Sequence, residues 1–508
     1  MDANNLFSVE WTYLRPEMIV LGGAVLLALL DLLAGRRLPR QLFGWLALVS
    51  VVLAGAAIWQ NIQTVGQPIG FMADMLRIDS FGNAFKLLFV SGVAFTFLLS
   101  FSHLQRDAIP HHGEYSYLLL IGLLGAMVMA SSADLITMFV GLELLSLSSY
   151  ILVGIRKHRL ASNESAFKYV VSGGIASAFT LFGMSYLYGL SGTTNLHEMT
   201  SRIGQAANSG FGAMVLISFV FLVAGLTFKI AAAPNHMWAP DVYQGAPTPV
   251  TAYLAVVSKA AGFALIVRLV LLAYGGVLTE QGQSLLLTEL SGYLSIIAGL
   301  TMMIGNLMAL RQVHLKRLMA YSGIAHAGYL LIPFVSLTQL SFEQVIFYLL
   351  AYLVGTFGLF AAIETISRDQ RTEELKGFAG LYHRAPVLAV AVTILVVSLA
   401  GLPVTAGFFG KFYLLMSALA NGRYWLTAIM LATSTISFFY YFGFIRQMYM
   451  RSGETEASVK IPAGAAFIIG VAALATLLGG LFPGLPSEFI HQHFNSGFDL
   501  GGIMKPGE

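Results

Sequence analysis

Long apolar runs separated by short polar connections dominate this chain, and they leave it few folds to choose from. A membrane-crossing helix needs about 20 mostly apolar residues, because ~1.5 Å of rise per residue must cover ~30 Å of hydrocarbon. Fourteen stretches meet that requirement, near 17–34, 41–60, 80–101, 115–131, 133–154, 162–190, 211–232, 250–274, 286–310, 313–335, 342–366, 385–415, 421–446 and 461–482. They are continuous and rich in Leu, Ala, Gly and Met, whereas a transmembrane β-barrel would show ~10-residue alternating segments. Only 10% of the 508 residues are charged, against about 25% in a soluble globular domain. The chain therefore reads as an all-α polytopic membrane protein of about 14 transmembrane helices, and a water-soluble enzyme is excluded. A net charge of +3 is too small to call for nucleic acid. The absence of cysteine excludes disulfides, iron–sulfur ligation and thiolate haem ligation by this chain. The acidic, polar start lacks a basic segment, so no cleaved signal peptide is expected.

Orientation follows from where the basic residues fall. Eighteen of the 28 Lys and Arg lie in or beside the connections after spans 1, 3, 5, 9, 11 and 13. The opposite side holds only Arg15, Arg77, Arg202, Arg423 and Lys505, and the remaining five fall inside spans. Both termini are thus expected on the non-cytoplasmic side.

Two spans have broken middles. Pro234, Pro240, Pro247 and Pro249 crowd into the stretch between spans 7 and 8, and Gly401, Pro403, Gly407 and Gly410 interrupt span 12. Proline removes a backbone donor, and in lipid the freed groups are tolerated only where protein or a watery cavity satisfies them. A packing kink would explain either break alone, but each lies near a buried lysine. The breaks come five spans apart, which points to two five-helix units. Five is odd, so the second unit inserts upside down relative to the first, as inverted repeats do in transporters. The expected organisation is 1–110 (spans 1–3), 111–275 (spans 4–8), 276–450 (spans 9–13) and 451–508 (span 14 and tail).

Charges at mid-membrane are costly and usually functional. Glu143 lies in the middle of span 5, with Ser146 and Tyr150 on its face; Lys229 lies late in span 7, Lys259 mid-span 8, and Lys411 after the break in span 12. His326 lies in span 10 with Ser322 and Tyr329 on its face. Glu143 and Lys229 could be an inert stabilising pair, and His326 a satisfied core histidine. Lys259 and Lys411 show no fixed acidic partner. Lys86 and Arg268 stand near span ends and are expected to snorkel to the interface; Asp134 and Glu364, also at span edges, are expected to be solvated. Desolvation disfavours a charged ammonium and a nearby carboxylate favours it, so such a set can take up and release protons. No nucleotide-binding or zinc-hydrolase motif is present. His111 and His112 lack clustered carboxylate or cysteine ligands, so no metal site is expected.

With these residues in view, the chain resembles the antiporter-like membrane subunits of respiratory complex I over nearly its whole length. The stretches that carry the resemblance are GLELLSLSSYILVG around Glu143, KIAAAPNHMWAPDVYQGAPTPVTAYLAVVSKAAGF from Lys229 to Phe263, and RQVHLKRLMAYSGIAHAGYLL around His326. Lys411 separates it from the M-type members, which look to have glutamate there, and its length from the L-type members. The resemblance implies proton translocation coupled to quinone reduction. Glu143 and Lys229 would form the ion pair of a first half-channel, Lys259 a central relay, His326 an auxiliary relay and Lys411 the proton carrier of a second half-channel. It also implies no cofactor in this chain, with NAD, FMN, iron–sulfur clusters and quinone in partner subunits, and M-type, K and J membrane-arm subunits and lipids as partners in a bacterial cell membrane. The alternative is a subunit of a multisubunit cation/proton antiporter or membrane-bound hydrogenase. A self-contained small-molecule transporter would need a polar midplane pocket, and four isolated mid-membrane charges argue against an inert scaffold.

Overall fold

The computed structural model describes residues 11–34, 37–104, 111–275, 277, 290–336, 339–453 and 457–494. The expected start of span 9 at 286, and Arg36, Arg106 and Lys505 of the charge count, lie outside the described residues. Among those described, thirteen helices are long and apolar enough to cross a membrane. Two shorter apolar helices, Pro386–Ala400 and Ala406–Ala420, follow one another where span 12 was expected. In chain order the others begin with Arg15–Ala34, Arg40–Thr64, Ser80–Leu104, His112–Ser131, Leu135–Val153 and Leu160–Ser191. Gly212–Lys229 is span 7, Thr248–Tyr274 span 8, Ser291–Ala309 span 9 and Leu315–Val335 span 10. Gln339–Gln370, Tyr424–Met450 and Ala463–Leu481 are spans 11, 13 and 14. A small antiparallel hairpin, Ile69–Phe71 with Leu76–Ile78, closes one edge between spans 2 and 3, with Ile69 opposite Ile78.

Lipid tails offer no hydrophobic drive for helix association, so close packing must supply it. Glycines make that approach possible. A Cβ on Gly125 of span 4 would lie 2.6 Å from the Leu145 amide nitrogen of span 5, and one on Gly305 of span 9 only 2.4 Å from that of Ala325 in span 10. Gly141 and Gly328 answer from the facing helices with backbone contacts at about 3.0 Å and 2.8 Å. The same arrangement recurs five spans on, and spans 6 and 7 pack together as span 11 packs against both halves of span 12. Spans 8 and 10 are buried along the whole of their apolar windows, whereas spans 1, 6 and 13 bury only a third of theirs. The interior axis therefore runs through spans 8, 10 and 11.

Both breaks are real, and their loose backbone groups are satisfied by protein. Span 7 stops at Lys229, and Ala231 turns the chain with φ 56°. Past it the Ala233 amide donates to Thr301 Oγ1 (2.9 Å), the Asn235 amide to the Ala224 carbonyl (2.7 Å), and the Trp238 indole to the Phe228 carbonyl (3.0 Å). In span 12, Gly401 (φ 89°) and Val404 (φ 74°) separate the two half-helices. Span 8 carries a third irregularity: Leu254–Ser258 forms a π-helical turn ending at Lys259, the kind of wide turn that concentrates at functional sites.

Several edge charges behave differently from expectation. Lys86 is fully buried rather than snorkelling, because span 1 brings Glu17 to within 2.6 Å of its ammonium. Arg268 is 2% exposed: its guanidinium pairs with Asp79 (2.6 Å), donates to the Ala130 carbonyl (2.5 Å) and lies over the Phe81 ring. Asp134 is not solvated either. It is buried and caps span 5, accepting from the amides of Ile136 and Thr137, which satisfies two of the orphan donors at a helix start. Glu364 is half-buried. A count along one helix cannot see a covering neighbour.

On the opposite face the connection after span 11 docks on span 10. Leu315 donates to the Glu373 carbonyl (2.8 Å) and Leu375 to that of Val313 (2.9 Å). The Glu373 carboxylate meets Lys316 at 3.0 Å and His314 at 3.2 Å, and Lys316 also donates to the Ala246 carbonyl (3.1 Å). Burial pushes the Glu373 carboxyl up, but the Lys316 charge and the hydrogen bonds from His314 and Lys316 prevail and hold it at about 2.

Two predictions follow from this packing. Gly305→Ala should force spans 9 and 10 apart at a backbone contact, costing about 1–3 kcal/mol as overpacking does. The midpoint of thermal unfolding of the purified protein checks this, and an unchanged midpoint would contradict the close approach. A folded value below the ordinary 4.5 means that Glu373 stabilises the fold above that pH, and that the contribution is lost as pH falls toward 2. Glu373→Gln should therefore unfold at a lower temperature than wild type at neutral pH, with the gap closing between pH 4.5 and 2; a gap independent of pH would show that the charge is irrelevant.

Candidate functional site

In the first unit, Lys229 ends the span 7 helix and is 5% exposed. Its ammonium donates to Ser146 Oγ at 3.0 Å. Ser146 stands one turn past Glu143 on span 5, as the spacing predicts. The Glu143 carboxylate is half-buried and accepts from Ser177 Oγ of span 6 at 2.5 Å. No ion pair within 4.0 Å joins Glu143 to Lys229, so the two lie on one face but apart, with a hydroxyl on the lysine and another on the carboxylate. Span 8 presses from behind: a Cβ on Gly262 would lie 3.0 Å from Lys229 Cγ. Tyr150 packs edge-on against Tyr169, which stacks on Trp238 at 4.5 Å, tying spans 5 and 6 to the broken segment.

Lys259, 3% exposed at the end of the π-helical turn, donates to the Gly323 carbonyl of span 10 at 2.5 Å and lies 5.8 Å from the centre of the Tyr352 ring. The absence of a Cβ at Gly323 is what admits it, since one there would stand 2.8 Å from the ammonium. His326 is one helical turn along from Gly323. Its Nδ1 is 2.5 Å from the Tyr348 hydroxyl and its Nε2 is 3.2 Å from that of Tyr441. Whichever tautomer the ring holds, it donates to one tyrosine and accepts from the other. Tyr441 also bonds Ser322 at 2.5 Å. The imidazole packs on the Tyr352 ring at 4.9 Å and edge-on to Tyr329 at 5.8 Å.

Lys411, 6% exposed, reaches back across the break of span 12 and donates to the Ala400 carbonyl (2.7 Å) and to Ser434 Oγ (3.2 Å). Its ammonium lies 5.2 Å from the centre of the Tyr329 ring. The room for it comes from Gly401, where a Cβ would lie 2.8 Å from Lys411 Cδ. Tyr329 continues into Asn306 (3.0 Å), which accepts from Tyr440 (3.1 Å).

Lys259, His326 and Lys411 are therefore brought together: the first two share the Tyr352 ring, the last two the Tyr329 ring. Glu143 and Lys229 form a separate cluster that meets the axis through the packing of span 8. Among the described residues, no carboxylate lies within 4.0 Å of Lys229, Lys259 or Lys411. Each ammonium rests on neutral oxygens, a hydroxyl at Lys229, a carbonyl at Lys259 and both at Lys411, with no carboxylate in direct contact. Sequence reasoning found the ionisable groups and Ser146, Ser322 and Tyr329, but missed Tyr348, Tyr352, Tyr441 and Ser434. Tyr348 and Tyr352, spaced i and i+4 within the apolar stretch 345–354 of span 11, were the available signal.

Comparison with known proteins agrees with this architecture. Residues 132–437 match the family described as NADH:quinone oxidoreductase/Mrp antiporter, TM. The NADH-quinone oxidoreductase subunit N of Brevibacillus brevis is 58% identical over 507 residues, covering 100% of this chain and 99% of that one. A chain of respiratory complex I from Thermus thermophilus superposes with a TM-score of 0.77 at 32% identity, covering 93% of this chain and 98% of its own. A chain of the Mrp complex from Dietzia shares the fold, with a TM-score of 0.82 at 19% identity over 98% of this chain and 100% of that one. The chain thus belongs to the NADH:quinone oxidoreductase/Mrp antiporter transmembrane family and, within it, to the subunit N family of NADH-quinone oxidoreductases.

Proposed function

We propose that this chain is a proton-translocating subunit of the membrane arm of NADH:quinone oxidoreductase, with Glu143, Lys229, Lys259, His326 and Lys411 carrying protons. One observation carries the reading: three buried lysines, each resting on neutral oxygens, with an imidazole and tyrosine hydroxyls filling the interval between the last two. A charge arriving near Glu143 changes what Lys229 faces, and the change passes to Lys259 and through His326 to Lys411. The redox chemistry belongs to other subunits, which hold the NAD, FMN, iron–sulfur clusters and quinone; this chain receives an electrostatic or conformational push. The 58% identity to a protein named NADH-quinone oxidoreductase subunit N supports that placement. M-type, K and J membrane-arm subunits are the proposed neighbours. Residues 111–275 and 276–450 serve as the two inverted units, and both termini lie on the non-cytoplasmic side of a bacterial membrane.

The fold shared with a chain of the Mrp complex supports a second reading, a subunit of a multisubunit cation/proton antiporter or membrane-bound hydrogenase. Purification in mild detergent separates the two. Co-purifying flavin and iron–sulfur proteins together favour the first reading, and co-purification with antiporter subunits or with a hydrogenase lacking flavin the second.

The lysines give the sharper test. If Lys411 transfers protons, it must titrate, not merely be positive. Lys411→Ala should cut coupled proton uptake by about 10²-fold, the lower range for losing an acid–base group. Lys411→Arg should fail as well, because guanidinium keeps its proton. Lys411→Glu should keep partial activity, since a buried carboxylate also titrates. Lys259→Arg should resemble Lys259→Ala in function while disturbing assembly less. Proton uptake and quinone reduction in vesicles holding the assembled complex decide the matter. Full pumping with arginine at both positions would make these lysines fixed electrostatic elements and refute the path.

A further inference from the structure

A cavity of about 860 Å³ opens on one face of the protein, away from the lysine axis. Four span ends build it: the start of span 2, the end of span 3, the end of span 11 and the start of span 14. All four border connections after odd-numbered spans, the face that the distribution of basic residues marks as cytoplasmic. Among the described residues its rim is mainly cationic: Arg368, Arg371 and Lys460 line it, with one carboxylate, Asp369. That carboxylate is already engaged by the Arg384 guanidinium and by Gln370, which donates to it at 2.7 Å.

The inner wall is apolar and aromatic. Trp45 stacks on Phe101 with ring centres 4.6 Å apart, and Phe467 stands beside them from span 14. Trp45 and Phe467 are each four or five residues inside their helices, roughly 6–8 Å deeper than the rim at ~1.5 Å per residue. Both are about half exposed, at 52% and 55%. The site is thus charged at headgroup depth and apolar just below it. A soluble anion would leave that lower wall bare, and a neutral lipid would leave Arg371 and Lys460 unanswered. The volume lies within the ~300–1,000 Å³ usual for ligand pockets, and basic pockets between membrane helices on this side suit anionic headgroups.

We propose that this cavity binds an anionic phospholipid, its phosphodiester on Arg371 and Lys460 and its upper acyl chain along Trp45, Phe101 and Phe467. The site would fix spans 2, 3, 11 and 14 at their shared end, and it is independent of the proton path.

The test uses the assembled complex in vesicles carrying a diazirine-labelled phosphatidylglycerol or, in parallel, the matching phosphatidylcholine. After photolysis, peptides spanning 41–60 and 463–481 are analysed for adducts. The phosphatidylglycerol probe should label both peptides in clear excess over phosphatidylcholine. That preference should fall about fivefold for each cation removed in R371Q and K460Q, while R371K and K460R keep most of it. Excess inorganic phosphate should leave the labelling unchanged. Equal labelling by the two lipids, a preference that survives the double R371Q/K460Q variant, or loss of labelling to free phosphate would each overturn the proposal.

Discussion

Inside hydrocarbon every backbone donor and acceptor must be satisfied by the protein itself, and much of this structure answers to that demand. Where spans 7 and 12 break, carbonyls near the helix ends gain partners from beyond the break: the Asn235 side chain and the Trp238 indole at the first, and the ammonium of Lys411 on Ala400 at the second. A helix C-terminus carries partial negative charge, so Lys229 and Lys411 both sit where a cation is welcome without a carboxylate. The breaks and the lysines are parts of one device.

The buried charges sort into two kinds. Arg268 with Asp79, Lys86 with Glu17 and Lys316 with Glu373 are direct ion pairs at 2.6–3.0 Å. Pairs of that sort fix geometry, because opening one strands a charge in low dielectric. Lys229, Lys259 and Lys411 rest instead on hydroxyls and carbonyls. The first kind ties spans 1, 3, 8 and 10 to their surroundings, and the second lies along the interior. Scaffold and candidate path are thus distinguished by what each cation touches, not by how deeply it is buried.

The spans, both breaks and the five ionisable residues proposed as the path could be read from the sequence, since each leaves a local mark: a long apolar run, a proline or glycine cluster, a lone charge. Partners across helices leave no such mark. Nothing along span 3 announces that Glu17 will meet Lys86, so its place near a span start suggested snorkelling, and Asp134 misled in the same way. Tyrosines are also common core residues. That Tyr348 and Tyr441 bracket His326 depends on how spans 10, 11 and 13 face one another, which residue spacing within one helix does not specify.

The π-helical turn of Leu254–Ser258 fits one extra residue into span 8 directly ahead of Lys259. A helix advances about 100° per residue, so the turn acts as a phase offset between the two ends of that span. Up to Tyr253 the helix packs mainly on spans 3 and 11; from Lys259 on it packs mainly on spans 3 and 4 and the Leu196–Ala206 helix, while the Lys259 ammonium reaches Gly323 of span 10. If the wide turn relaxed to a regular helix without compensation, the ammonium would swing off the Gly323 carbonyl while the far end of the span stayed in place. The orientation of Lys259 is therefore set by a local winding number as well as by where the helix axis lies.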